Sequence, residues 1–461
     1  MMPMRMNHGR ANRGKLSPRK VAAYAGLAAG AVVLICALVF LFFPDTYLNG
    51  YLKKQIIKGF TKAYPAYSIR IADVHYNIWE NRIGCDSITL TSIDSTFSCS
   101  IAKFSVSGIG WVRVLWQGDI VSKCLNGSVA EARKIVLNFR QSQYELRCAW
   151  LRISVPDSEI LAEALELRPL VEDDKFFADS KFRRTRFRIV LPQCRVTGAD
   201  CLGLLQGKIY RARSVKVNNA SFDILVDMDT SYNQNASRPL MLNEGLLSIN
   251  KKTQVDSLNI MNGQLKYAER YILGSPPAEV TFDSIQLLAE GITNHADPGA
   301  TAVIHGQGNF MKTSTMKILM VIPVVSPEIS FRYSGSLDVM DLTRLNSFIE
   351  VGERLRIKSG ILQRATFDVN VTAGRASGTV RVMYRDLTIA VLDSRTGSER
   401  GVFNRITSFI TNAMKIRGTN VPDKSGSMKI GEVKYTRKRD DTFLQLVWFS
   451  LRSGVGDVVG F

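Results

Sequence analysis

Asp227 and Asp229, in the stretch LVDMDTS, are the two carboxylates whose spacing comes nearest to a reactive pair. Two residues apart, they are placed to act as general acid and base or to hold a cation, although paired carboxylates at a strand end are more often plain surface residues. His305-Gly-Gln-Gly308 has the glycine content of a loop that offers backbone N–H groups to an oxyanion, but no GxSxG serine accompanies it, and a turn between strands accounts for the glycines. P-loop, HExxH and dinucleotide GxGxxG patterns are missing. Tyr76 with Trp79, or Trp111 with Trp116, would line a ligand cleft or anchor a sheet. His8, His75, His295 and His305 are the only histidines and no CxxC pair exists, so no zinc spacing and no cofactor motif is found. Chemistry on named residues is thinly supported, and attention passes to apolar surface.

Seven cysteines are present, with Cys36 inside an apolar run and Cys85, Cys99, Cys124, Cys148, Cys194 and Cys201 in the body. In an oxidising compartment these six allow up to three disulfides; as small apolar side chains they pack equally well within strands. The lack of a regular framework spacing favours packing.

Val21 to Phe43 is an uncharged apolar run of 23 residues that follows a 20-residue tail with six Lys/Arg and no acid. A helix of that length crosses a ~30 Å hydrocarbon core, whereas a cleaved signal has ~7 to 15 apolar residues and a small-residue cleavage site. Phe40, Phe42, Phe43, Tyr47 and Tyr51 mark the far interface, and Arg5, Arg10, Arg13, Lys15, Arg19 and Lys20 hold the tail on the cytoplasmic side. Lys53, Lys54, Lys58 and Lys62 lessen the contrast in charge. Beyond the run, 54 basic residues face 41 acidic ones, an excess of 13. The short clusters Arg183, Arg184, Arg186, Arg188 and Arg437, Lys438, Arg439 form a solvated basic surface or attract anionic lipid headgroups. Nucleic acid is excluded as a partner once the body lies across the membrane.

Residues 44–64 pattern as an amphipathic juxtamembrane helix, with Tyr47, Leu48, Tyr51, Leu52, Gln55, Ile56 and Phe60 near one face and Pro65 ending it. Beyond this point the chain is mostly β. Ile69 and Ile71 alternate and then shift phase to Val74, Tyr76 and Ile78, the mark of a bulge. Alternation is clear at Ile88 and Leu90, at Leu258 and Ile260, at Phe367, Val369 and Val371, and at Val380, Val382 and Tyr384, with Ile389 and Val391 opening a further strand. Helical patterns return at 341–353, 403–416 and 442–452. CDSITLTS, VDSLNIMNG and FDSIQLLAEG share an Asp-Ser start, with RSVKVNNASFDI a degenerate cousin, a loose repeat without a fixed period. Period two alone favours a closed sandwich over an open apolar groove.

Several stretches together resemble the AsmA-like superfamily of anchored bacterial envelope proteins. The apolar run, Phe43-Pro44-Asp45, the amphipathic helix and SIRIADVHYNIWENRIGCDSITLTS look like its opening module; residues 256–294, in which a strand ending in Asn-Gly leads through a short loop to a second strand, look like its later unit. Residues 334–392, punctuated by Gly335, Gly360 and Gly378, and residues 393–461 resemble its C-terminal portion. The resemblance implies a transmembrane helix followed by an elongated, curved antiparallel β-sheet groove, taco-like, with a few amphipathic helices, fixed in the inner membrane and projecting into the periplasm. Its organisation would be a cytoplasmic tail 1–20, a span 21–43, the juxtamembrane helix 44–64, an N-terminal β-rich region 65–240 and a C-terminal one 241–461. Phospholipid is the implied partner, beside other envelope proteins, and Ile69, Ile71, Ile88, Leu90, Leu258 and Ile260 are the candidate lipid-facing residues. About 20 strands at ~4.8 Å would make a groove on the order of 100 Å long. The rival readings are a closed sandwich that serves as an envelope scaffold and a membrane-bound hydrolase using Asp227 and Asp229.

Overall fold

Alternating apolar and polar residues make strands over most of the chain, and the computed structural model joins eighteen of them in one sheet. It describes residues 48–460 apart from 78–79, 109–124, 179, 298, 327 and 393–415. The tail 1–20, the expected span 21–43, Trp79, Trp111, Trp116, Cys124 and nearly all of the expected helix 403–416 lie outside the described residues. No described helix is long and apolar enough to cross a membrane.

Helix α1 (Leu48–Ala63) leads into β1 (Tyr67–Asn77), β2 (Arg82–Ser92), β3 (Phe97–Ser107), β4 (Val129–Phe139), β5 (Tyr144–Ser154) and β6 (Glu159–Pro169), an antiparallel meander. A short α2 (Asp173–Ala178) precedes β7 (Thr185–Thr197), which pairs with β6. After α3 (Cys201–Leu205), β8 (Ile209–Asn218) and β9 (Ser221–Asp227) form two halves of one line against the two halves of β7. A crossover carrying α4 (Leu242–Leu247) brings the chain back as β10 (Lys252–Arg270), parallel to both β8 and β9. Expected to be antiparallel throughout, the sheet therefore has a parallel seam in its middle, because a crossover of this length returns the strand in the same direction.

Antiparallel pairing then resumes through β11 (Ala278–Thr293), β12 (Thr301–Phe310), β13 (Ser314–Pro323), β14 (Phe331–Leu337), the two-residue β15 (Met340–Asp341), β16 (Leu355–Thr372), β17 (Arg375–Val391) and β18 (Gly431–Thr436). Helix α5 (Asn346–Gly352) sits between β15 and β16, and α6 (Phe443–Val459) closes the chain. One curved sheet forms, as expected, and not the rival closed sandwich, and the regions 65–240 and 241–461 both contribute to it. Asn262-Gly263, expected to end a strand, lies inside β10, and Ile389 and Val391 continue β17 instead of opening a new strand. In both places a residue at positive φ, Asn262 (54°) or Asp386 (55°), absorbs the phase change that reads in sequence as a break.

Helices cover the apolar face at the two ends of the sheet. Ile56 and Phe60 of α1, both 1% exposed, pack with Ile69, Ile71, Val74, Ile88, Leu90 and Phe104. At the other end Leu446 and Val458 of α6, both 0% exposed, pack with Val369, Val380 and Val433. Helix α6 starts at an N-cap, Thr442, in a capping box with Gln445, and runs past the expected 452 through Gly454 and Gly456. Glycine is required at the contact itself: a Cβ on Gly431 of β18 would lie 1.9 Å from the Gly454 carbonyl oxygen. The same helix takes up edge amides, the Glu432 N–H donating to Asp457 at 2.9 Å and the Lys434 N–H to Ser453 at 3.1 Å, so the β18 edge is covered.

Cys85, Cys99, Cys148, Cys194 and Cys201 are free thiols, and all but Cys194 are buried. Burial pushes the Cys85 and Cys99 thiols up to about 12, with the Asp86 carboxylate adding to the effect at Cys85. From their ordinary value of 9.0 to about 12, the unfolded chain releases these protons while the folded chain keeps them, so stability falls as pH rises across that window. Native protein at pH 8 should therefore leave Cys85 and Cys99 unlabelled by an aromatic disulfide reagent, with labelling appearing at the urea concentration that unfolds the sheet; prompt labelling would contradict their placement. Leu446→Ala should lower stability by ~2–5 kcal/mol, read as a shift of the urea midpoint.

Candidate functional site

A side chain in a sheet shares its face with the residue directly opposite on the neighbouring strand, so apolar surface can be traced strand by strand. One line begins at Val74 on β1 and passes through Cys85, Phe104, Ala132, Leu151, Ala162, Cys194 and Val217 to Ile260 on β10. It continues through Leu287, Gly306, Ile318, Gly335 and Phe367 to Val380 on β17 without meeting a polar side chain. The next line on the same face includes Ile153, Ile160, Val196, Val215, Leu258, Ala289, Ile304 and Met320. Between these two runs the opposite face, mostly polar: His75, Ser105, Glu131, Arg152, Arg195, Lys216, Asn259, His305, Ser334 and Asp368, with Leu161, Leu288 and Leu319 among them.

A seam of bulges runs across the first eleven strands. Ser87, Lys134, Ala164, Asn219, Asn262 and Ser284 all have φ between 48° and 55°. They face Ala102 on β3, Ala149 on β5 and Pro192 on β7, while Asn262 donates its side-chain N–H to Asn219 at 2.7 Å. Each strand puts two consecutive residues outward at this seam, so its alternation slips by one and the apolar residues beyond return to the same face. On that far side a third apolar line runs from Ile69 through Leu90, Cys99, Leu137, Leu146, Leu167, Ile189, Phe222, Leu265 and Phe282 to Phe310. The phase shift read at β1 marks the first member. Ser87 and Ser284, the serines of two Asp-Ser repeats, are members too, so that loose repeat marks bulges in part.

All six candidate lipid-facing residues lie on this one face, under different cover. Ile69, Ile71, Ile88 and Leu90 are 3–6% exposed in the core beneath α1. Leu258 and Ile260 are half-buried, as are Ile160, Ala162, Leu165, Leu167, Val196 and Val215, and none of these belongs to a core cluster. The stretch from β6 to β11, half-buried apart from Val217 and Ala289, which are buried, spans about 20 Å at the usual strand spacing. Cysteine and alanine on this stretch were invisible to a search for bulky alternating residues. The register brings them into line.

Where β9, β10 and β11 end, α5 covers the apolar face. Phe348 packs on Val226, Tyr267 and Ala278 and stacks edge-on against Trp448 of α6 with ring centroids 5.5 Å apart. Glu269, 5% exposed, accepts hydrogen bonds from the Tyr267 and Tyr271 hydroxyls, both at 2.7 Å, and from the Gln445 side-chain amide at 3.1 Å. Burial, then the adjacent Glu269 charge, raises both phenols above the ordinary tyrosine range and keeps them as donors. Glu353, raised above the usual carboxylate range by burial, pairs with Arg452 and ties α5 to α6.

Other residues singled out by type have structural partners. Asp227 accepts from the Asp229 N–H at 3.1 Å and the Thr230 hydroxyl at 2.8 Å, and Asp229 accepts from the Leu273 N–H at 3.2 Å, so the pair holds the turn after β9. His305-Gly-Gln-Gly308 lies within β12; the glycines expected in a turn sit inside a strand, where neighbouring side chains press close. The arginine cluster is engaged: Arg186 with Asp173 and Asp223, Arg188 with Asp173, Arg183 with Asp440, and Arg184 over the Phe176 ring at 4.0 Å. Among the described residues no three His, Cys, Asp or Glu side chains gather as a metal site would require. No family model matches the chain, and no curated protein matches it.

Leu258→Asp and Ile260→Asp place a carboxylate on half-buried surface and should leave the folded state intact, whereas Val369→Asp, at a side chain 0% exposed, should abolish cooperative unfolding. Circular dichroism through a urea titration separates them, and loss of folding in all three would mean that the β10 face is sealed.

Proposed function

We propose that this chain is a non-enzymatic, AsmA-like protein of the bacterial envelope that holds phospholipid acyl chains on the apolar face of its sheet. The observation that carries this reading is the half-buried apolar stretch from β6 to β11, continuous in register and bounded by helix-covered ends. Contiguous apolar surface that no other element seals commonly marks an interaction or ligand site. Residues 21–43 anchor the chain in the inner membrane, with the tail cytoplasmic and the sheet periplasmic, and the occupant is therefore lipid taken from an adjacent bilayer. One leaflet supplies about 15 Å of acyl chain, half of the ~30 Å core, which fits within the stretch. Each methylene shielded from water contributes ~0.8 kcal/mol, so exchange of apolar surface moves lipid without chemistry. The covered ends favour a second role, in which the protein passes lipid to another envelope protein. The two carboxylates nominated for hydrolysis, Asp227 and Asp229, hold a turn instead.

A photoreactive phenylalanine at Ile160, Leu258 or Ile260 in cells with radiolabelled phospholipid should give lipid adducts, and the same group at Lys216 or Asn259, on the opposite face, should not. Equal labelling on both faces, or none on the apolar one, would sink the proposal.

A further inference from the structure

The polar face carries a second site, on the opposite side of the sheet from the apolar stretch and independent of the lipid reading. A groove of about 980 Å³ opens there over β10 to β17. Its floor is β14, where Ser334 and Ser336 are small and Gly335 lets the strand press inward: a Cβ on Gly335 would lie 2.2 Å from the Lys317 carbonyl oxygen and 2.6 Å from the Phe367 ring. One line of directly opposed residues crosses it as Gln286, Gln307, Lys317, Ser336, Thr366 and Arg381. Amide, amide, cation, hydroxyl, hydroxyl and cation thus follow one another at ~4.8 Å steps, with the two cations about 14 Å apart.

Among the described residues, Lys317 and Arg381 are exposed and make no ion pair, while the carboxylate that lines the groove, Asp368, is held by Arg332 through bonds of 3.0 and 2.6 Å and kept below the usual carboxylate range. The groove therefore presents net positive charge with hydroxyls and amides between. Among the described residues no tryptophan or tyrosine lines it, and protein interfaces concentrate their energy in such anchors. Leu288 and Leu319 flank His305 on the adjoining line and offer flat apolar contact. A hydroxyl-rich chain with spaced anionic groups satisfies every part of this surface. We propose that the groove binds an acidic oligosaccharide, its anionic groups on Lys317 and Arg381 and its hydroxyls on Gln307, Ser336 and Thr366.

The test is fluorescence anisotropy of labelled trigalacturonate with the full chain in neutral detergent. Saturable binding is expected, about tenfold weaker in Lys317→Ala and in Arg381→Ala, the loss of one charge-assisted hydrogen bond each. Lys317→Arg should retain binding, and Lys216→Ala, elsewhere on the same face, should equal the parent; matched thermal unfolding midpoints exclude a folding defect. The proposal is overturned by absence of saturable binding, by equal affinity in the two alanine variants and the parent, or by tighter binding of pentaglutamate or a short-chain phosphatidylglycerol, which would assign the groove to an acidic protein or to a lipid headgroup.

Discussion

The register of a single sheet is the constraint on which the rest of this structure depends. Side chains alternate with period two, so a slip of one residue in any strand would turn its apolar set to water and interrupt the surface its neighbours share. The seam of positive-φ residues from Ser87 to Ser284 shows how the slip is managed: every strand it crosses makes the same two-residue outward step, and the apolar lines on both sides stay on one face. Bulges bend strands and increase twist, so the same device supplies curvature. Asn219 and Asn262 occupy the seam where the two halves meet in parallel, and the hydrogen bond between their side chains joins the halves at that point.

The ends of the sheet raise a different problem, because an uncovered apolar face and an uncovered edge both invite association. Helix α1 answers the first at β1 to β4, and α6 answers both at β18. The buried Glu269 carboxylate, met by two tyrosine hydroxyls and Gln445, fixes where α6 lands, since a displaced helix would leave that charge unpartnered in low dielectric. Among the described residues, cover of this kind reaches β9 to β11 only at their ends, under α5, and leaves Ile160, Val196, Val215, Leu258 and Ile260 half-buried; the lipid reading rests on that contrast.

Charge in this protein divides between bracing and display. The Arg183 to Arg188 cluster, conspicuous in sequence, is spent on Asp173, Asp223, Asp440 and an aromatic ring. Lys317 and Arg381, inconspicuous and 64 residues apart in sequence, stand across one groove with no ion pair among the described residues. Sequence proximity concentrates charge; register alone decides which charges face water together.

Alternation by itself determined that this is a mostly β chain with amphipathic helices near 48 and 443, and located Ile69, Ile71, Ile88, Leu90, Leu258 and Ile260 on apolar strand faces, because those patterns are local and short in period. Thiol packing was legible too, in the absence of a disulfide framework. Only the tertiary structure decided between the curved sheet that the resemblance implies and the closed sandwich that alternation alone allows, that β10 runs parallel to β8 and β9, and that Asn262-Gly263 and Asp386 bend strands instead of ending them. It alone separated four candidates buried under α1 from two left half-buried. The physical reason is common to all of these: a period-two pattern states that a face is apolar, and what lies against that face is set by residues outside the strand, tens to hundreds of positions away.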